Sequence, residues 1–379
     1  MTPPRLIASQ DALAELLTEL RQEPVLAVDT EAASFHRHID RIYLIQVSSR
    51  TSTAIVDPLA VTDLSIFGEI LADPEIEIVF HDADYDLRLF DLQYGFRATR
   101  IFDTRVAAEL LSEPGLSLAA LLGRHLGVEV DKRFQRADWS ARPLSPEMLA
   151  YAAGDTQHLV TLRDLMKSGL ETAGRLGWAE EEFARLTQVR WGPAADREPA
   201  WLRLKGAKAL PPRQLAILRE VQQWREDVAR RMDRAEFRIL GNEALFEIAQ
   251  QAPATPEALG AVRGIGRETL ERRGEAILAA VRRAVALPEA DLPRVEHPPR
   301  RAREPEIEAR LARLKSARTR IAERLGLASG VVCPNSVLDT IARAVPTSLD
   351  DLATIPGLRR WQIAAFGDEL LAKSGPRNP

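Results

Sequence analysis

The run VLAVDTE at residues 25–31 joins an apolar stretch to two acids one position apart. On a strand, residues i and i+2 point to the same face, so Asp29 and Glu31 aim into one cleft while Val28 and Thr30 face the other way. Two carboxylates held so close repel each other unless a cation lies between them. Further acids follow at telling places. FHDADYDLRLF offers Asp86 on the first turns of an expected helix, and LAYAAGDTQHL offers Tyr151 and Asp155 four residues apart, on one helical face. Such hard oxygen donors suit Mg²⁺ or Mn²⁺ rather than Zn²⁺, which prefers His and Cys.

Around these residues the hydrophobic pattern predicts an α/β domain with a central sheet. The β-rich runs VLAVDT, IYLIQVS, TAIVDP and IEIVFH alternate with helical patterns such as DALAELLTELRQ, DLSIFGEILAD and DYDLRLFDLQYG. After His81 the pattern reads as helical, ending in the long PEMLAYAAGDTQHLVTLRDLMKSGL, with Ser145 as cap and Pro146 at the first position. From about residue 206 no strand pattern recurs, and the chain repeats itself. At one fixed offset Arg231 pairs with Arg324, Asn242 with Asn335, Leu245 with Leu338, Pro253 with Pro346, Gly264 with Gly357 and Gly274 with Gly367. Two homologous helical domains explain this. The proline-rich, charged LPEADLPRVEHPPRRAREPE between them reads as a linker.

Asp-x-Glu, then Asp, then Tyr-x-x-x-Asp is the pattern of the 3′–5′ exonucleases named for their four acids. Segments such as FHDADYDLRLF and DKRFQRADWSARPLSPEMLAYAAGD make the first 170 residues similar to the ribonuclease D family. Each later repeat resembles the small helical (HRDC) domain shared by that family and RecQ-type helicases. The resemblance implies a ribonuclease-H-like fold with a mixed sheet at 1–170, connecting helices at 171–205, HRDC domains at 206–288 and 305–379, and a linker at 289–304. It implies metal-dependent hydrolysis of RNA from the 3′ end to nucleoside 5′-monophosphates, above all on tRNA precursors with 3′ extensions. By that carry-over Asp29 bridges two Mg²⁺ or Mn²⁺ ions, Glu31 and Asp155 complete the first shell, and Asp86 holds the second ion through water. Tyr151 marks the tyrosine branch. A phenol with an ordinary pKa near 10 is protonated at neutral pH, so it is better suited to orienting the attacking water than to acting as a strong base. A DNA exonuclease with the same acids, or a nucleic-acid-binding adaptor with an inactive site, stays open.

Other residues carry paired readings. Phe35 is either a stacking face for the terminal base or a rim aromatic. Gln46 either supports the site from a neighbouring strand or only completes that strand. Lys132, Arg133, Arg136 and Arg142 cluster where a phosphate backbone could reach them, or are merely solvated. In the first repeat, Arg263, Gly264, Gly266 and Arg267 form a glycine turn before a helix start, a place for a phosphate. The second repeat carries Arg359 where the first has Gly266, which weakens the same reading there. Asp82 and Asp84 are expected as helix-start cap and dipole partner, Asp103 as an N-cap, Trp139 as packing and His158 as a partly exposed helix residue. His36 and His38 receive no role.

Charge is divided unevenly. Residues 1–170 hold 16 Lys/Arg against 26 Asp/Glu, and residues 171–379 hold 35 against 29. An acidic front repels a nucleic-acid backbone, so the basic back is the expected place for phosphate contacts. The lone Cys333 excludes an intrachain disulfide and a Cys-based zinc site, and is expected to be a small buried residue. With no long apolar run and no basic-then-apolar leader, the expectation is a cytoplasmic, membrane-free monomer.

Overall fold

The computed structural model describes residues 4–192, 198–295 and 304–375. Strands β1 (Arg5–Ile7), β2 (Val25–Ala32), β3 (Ile42–Ser48), β4 (Thr53–Val56), β5 (Glu77–Phe80) and β6 (Ile101–Asp103) form one mixed sheet in the order β1-β4-β3-β2-β5-β6. β2 pairs antiparallel with β3 and parallel with β5, and β6 continues parallel to β5. The expected four strands are present. β1 and β6, of three residues each, are too short to display a period, and β6 corrects the reading that only helices follow His81.

Alternation along β2 sorts the two layers. Leu26 and Val28 pack with helices α1 (Gln10–Leu20), α2 (Ser65–Ala72) and α3 (Asp84–Tyr94). Val25 and Ala27 face the other layer, built from α4 (Thr104–Leu110), α5 (Leu118–Leu126), α6 (Pro146–Gly154), α7 (Leu159–Thr172) and α8 (Leu176–Leu186). Asp29 and Glu31 continue that second register beyond the core. Ser145 caps α6 by accepting from the Met148 N–H at 3.2 Å, with Pro146 in the first turn.

The single long helix expected from Pro146 onward is instead two, α6 and α7. Thr156 turns inward, its hydroxyl 2.7 Å from that of Ser48 in the buried interior, and His158 adopts φ −110° and ψ −5° ahead of α7. Asp155 keeps helical dihedrals, φ −74° and ψ −20°, so Tyr151 and Asp155 still share a face.

The remaining described chain is helical. The first repeat comprises α9 (Pro212–Met232), α10 (Glu236–Ile239), α11 (Asn242–Gln251), α12 (Pro256–Gly260) and α13 (Arg267–Val285). The second comprises α14 (Pro305–Leu325), α15 (Ser329–Val332), α16 (Asn335–Ala344), α17 (Leu349–Ala353) and α18 (Arg360–Ser374). Their likeness reaches single bonds. Arg225 donates to Asn242 Oδ1 at 2.7 Å and to the Leu240 carbonyl at 3.0 Å; Arg318 donates to Asn335 Oδ1 at 2.8 Å and to the Cys333 carbonyl at 2.9 Å. Left-handed backbone recurs at the same offset, at Ala252 (φ 47°) and Val345 (φ 50°), and at Gly264 (φ 88°) and Gly357 (φ 86°). Cys333 is buried, which pushes its thiol up to about 12. The central part of the expected linker, 296–303, lies outside the described residues.

Candidate active site

The acids gather at the carboxyl end of β2. Asp29, Glu31 and Asp155 each bring a carboxylate oxygen within 4.8 Å of the others. β2 delivers the first two and the last residue before the α6–α7 break delivers the third. Asp86 arrives from the opposite layer. It lies in the first turn of α3 and accepts a hydrogen bond from the Thr30 hydroxyl, on the other side of the strand from Asp29. Three of the four expected carboxylates therefore converge closely, and the fourth stands behind them.

Electrostatics follow from this crowding. Burial and the Asp155 charge raise the Asp29 carboxyl well above its ordinary range. Glu31 is raised by burial and by the charges of Asp29, Asp155 and Asp86. Burial and Asp29 raise Asp86, and burial lifts Asp155 to about 7. A cluster of anions this reluctant to ionise is what a divalent cation relieves. The donor set is all oxygen, so its chemistry fits Mg²⁺ or Mn²⁺. Tyr151, one helical turn before Asp155, keeps its proton: burial and the charges of Asp155, Glu31 and Asp29 push its phenol upward. Its ring packs beside Phe134, at 5.8 Å between centroids, and the buried Trp139, at 5.9 Å. Trp139 is thus the expected packing residue.

A cleft of about 400 Å³ opens over the cluster, bordered by Lys132, Gln135, His81 and Arg105. That volume suits a nucleotide-sized ligand. Lys132, from the basic loop, lines this cleft. Arg133 is exposed but paired with Asp131 at 2.6 Å, and Arg136 lies over the Phe35 ring at 5.1 Å. Arg142 corrects the expectation of a phosphate contact. Its guanidinium grips Asp57 at 2.6 and 2.8 Å and also donates to the carbonyls of Tyr43, Trp139 and Ala141, so that its N–H donors are engaged within the protein. Sequence reasoning gave His81 and Arg105 no role because neither is an acid, although His81 stands inside FHDADYDLRLF itself. The His81 ring bonds the Thr104 hydroxyl at 2.9 Å, and burial lowers its pKa.

The caps differ from expectation in one respect. Asp103 caps α4, accepting from the N–H groups of Arg105 (2.8 Å) and Val106 (3.1 Å), and it also accepts from Asp82 (3.2 Å) and Ala83 (2.8 Å) at the entry to α3. Asp82 caps nothing: at φ 68° it turns outward and pairs with Arg105 at 3.4 Å. Asp84 sits in the first turn of α3, bonded to Arg88. His158 is half-buried at the α6–α7 break rather than inside a helix.

The first repeat docks on the loop that follows β2. Ala235 N–H donates to the His36 carbonyl at 3.1 Å, Arg238 donates to the Phe35 carbonyl at 2.6 Å, and Asp233 accepts from the His38 N–H at 3.2 Å. Phe35, half-exposed, meets Phe237 edge-on at 6.4 Å. Farther along, Gly266 immediately precedes α13, with Arg263 and Arg267 exposed, Arg263 3.7 Å from Glu243 and Arg267 bonded to Glu271 at 2.7 Å. The matching turn in the second repeat is already filled. Glu181 of α8 accepts from the N–H groups of Arg360 (2.8 Å) and Trp361 (2.9 Å), and Glu182 accepts from Arg359 and from the Trp361 indole, both at 2.9 Å.

Fold and site together define a 3′–5′ exonuclease domain carrying two HRDC domains. A 3′–5′ exonuclease family model matches residues 4–171, and an HRDC domain model matches 214–281 and 307–373. The chain is 35% identical to ribonuclease D of Gluconacetobacter diazotrophicus, across 97% of this chain and 92% of that one. It is 32% identical to ribonuclease D of Escherichia coli, across 76% and 77%. The crystal structure of the E. coli enzyme, described as an exoribonuclease involved in structured RNA processing, superposes with a TM-score of 0.72 at 27% identity, covering 98% of both chains. A protein from Bifidobacterium adolescentis superposes at 0.85 and 25% identity, covering 98% and 97%. This chain belongs to the ribonuclease D family.

Proposed function

We propose that this protein is a divalent-metal-dependent exoribonuclease that shortens RNA stepwise from its 3′ end, releasing nucleoside 5′-monophosphates. Its proposed substrates are structured RNAs with short single-stranded 3′ tails, tRNA precursors above all, and its proposed setting is the cytoplasm. The observation that carries this reading is the convergence of Asp29, Glu31 and Asp155. These three residues would hold one ion, and Asp86 would support a second. Bound there, two such ions supply charge stabilisation for both the attacking and the leaving oxygen of an in-line displacement. The chain's own groups do the rest. Tyr151, holding its proton, donates a hydrogen bond that orients the attacking water. Lys132 draws the scissile phosphate toward the acids, offsetting their repulsion. Phe35 and its neighbour Phe237 offer ring faces to unpaired bases, and Arg263 and Arg267 beside Gly264 and Gly266 offer a more distant phosphate contact.

The test is a 5′-labelled tRNA bearing a 3′ trailer, beside DNA of matched sequence, incubated after metal removal and again with Mg²⁺. Stepwise shortening of the RNA only with metal is expected, with loss in Asp29→Asn. Tyr151→Phe should slow it by about 10- to 100-fold while metal affinity stays unchanged. Equal shortening of DNA would favour a DNA exonuclease, and binding without shortening would mark an inactive adaptor.

A further inference from the structure

Gln46 lies in the middle of β3, directly opposite Asp29 in the antiparallel register. Residues so paired project to the same face, with Cβ atoms about 5 Å apart. The side chain is fully buried, yet neither its amide nitrogen nor its amide oxygen has a hydrogen-bond partner among the described residues. A buried amide left unpaired costs folding free energy, and an aliphatic side chain would fill the slot without that cost.

The neighbours narrow what the amide can serve. Leu44, Ile55, Ala152 and Ala153, which form the core on this face, are apolar, and Trp139 in the same cluster offers only an indole N–H, a donor that could engage the amide oxygen but not its Nε2–H₂. Ser48, two residues along the strand, is committed to Thr53 at 2.9 Å and Thr156 at 2.7 Å. The acidic groups at this end of the layer are Asp29, across the ladder, and Asp155, adjoining Thr156. An amide is the side chain that can donate to a carboxylate here without adding charge to a cluster already crowded with anions.

We infer that Gln46 is a positioning residue for the metal cluster: its Nε2–H₂ donates to the carboxylate of Asp29 when a cation draws that group into place, fixing the orientation in which it binds. This inference rests on the metal reading of the site. Groups that orient ligands in this way typically control metal affinity or activity by about 10- to 100-fold when removed.

The test compares full-length wild type with Gln46→Met, which keeps the volume and removes the amide. Mn²⁺ affinity is followed by electron paramagnetic resonance, RNA trimming by steady-state kinetics and metal-free stability by thermal melting. The inference predicts Mn²⁺ binding weaker by about 10-fold, kcat lower by at least as much, KM for RNA unchanged, and a metal-free melting temperature equal or higher. Unchanged Mn²⁺ affinity and kcat would overturn it, as would a lower metal-free melting temperature with unaltered affinity, the mark of a purely structural amide. Should Gln46→Met fail to fold, the wild-type Gln46 side-chain amide resonance decides. It must shift and gain exchange protection on addition of Mg²⁺, and a static signal overturns the inference. A wild type that neither binds Mn²⁺ nor shortens RNA would instead defeat the metal-dependent reading itself.

Discussion

Asp29, Glu31 and Asp155 resist ionisation because each would place its charge within reach of the others and in a partly dry site. Their protons link the site to stability. A carboxyl whose folded pKa is raised binds protons that the unfolded chain would release, so its favourable contribution is complete below the ordinary values near 4. That contribution is lost as pH rises, through about 7 in the case of Asp155. A divalent cation takes over the protons' role at high pH. Thermal melts should therefore show metal-free protein less stable at pH 8 than at pH 5.5, and a rise in Tm on saturating Mn²⁺ that is larger at pH 8. A rise independent of pH would mean that these carboxyls do not share one ion. Arg142 shows why residue type alone misleads at this scale. In sequence it belongs to a basic cluster, but its partner Asp57 lies 85 positions away, a pairing no local pattern reveals.

Among the elements, the junction of β5, β6, α3 and α4 sets the position of Asp86. One carboxylate, Asp103, accepts from four N–H groups across the starts of both helices and is buried to 1% exposure. Asp103→Ala would strand those donors, several of them away from water. Counting hydrogen bonds to a buried charge, it should destabilise the fold by about 3 kcal/mol in urea unfolding, and a loss under about 1 kcal/mol would show that the junction holds without it. The acid-bearing strand was legible in sequence because its apolar run and i, i+2 spacing form a long, regular signal. β1 and β6, too short to show a period, were not. The α6–α7 break was hidden for a different reason, since the bond from Thr156 to Ser48 is tertiary and overrides a local helical pattern.

At the level of the whole molecule the two repeats have diverged in employment. Their helices and the Arg–Asn bonds correspond, as the fixed offset in sequence foretells, yet the second is built into the catalytic domain. One hydrophobic core runs from β2 and α7 through α8 to Trp361 and Leu370, Trp178 stacks on Trp361 at 4.6 Å, and the helix-start N–H groups receive Glu181. In the first repeat no side chain caps the start of α13 at Gly266, and in the turn before it Glu247 accepts from the Arg263 N–H at 3.0 Å. If RNA phosphates use that turn, Arg263→Glu with Arg267→Glu should weaken RNA binding and reduce the slope of log affinity against log salt by about 1.5, measured by fluorescence anisotropy. An unchanged slope would assign those arginines to solvent alone. No helix among the described residues is long and apolar enough to cross a membrane. The deciding measurement concerns the acids themselves: anomalous diffraction from crystals soaked in Mn²⁺ at a concentration that supports cleavage. The account predicts a peak within about 2.3 Å of oxygens from Asp29, Glu31 and Asp155. An active protein with no peak at those carboxylates would contradict it.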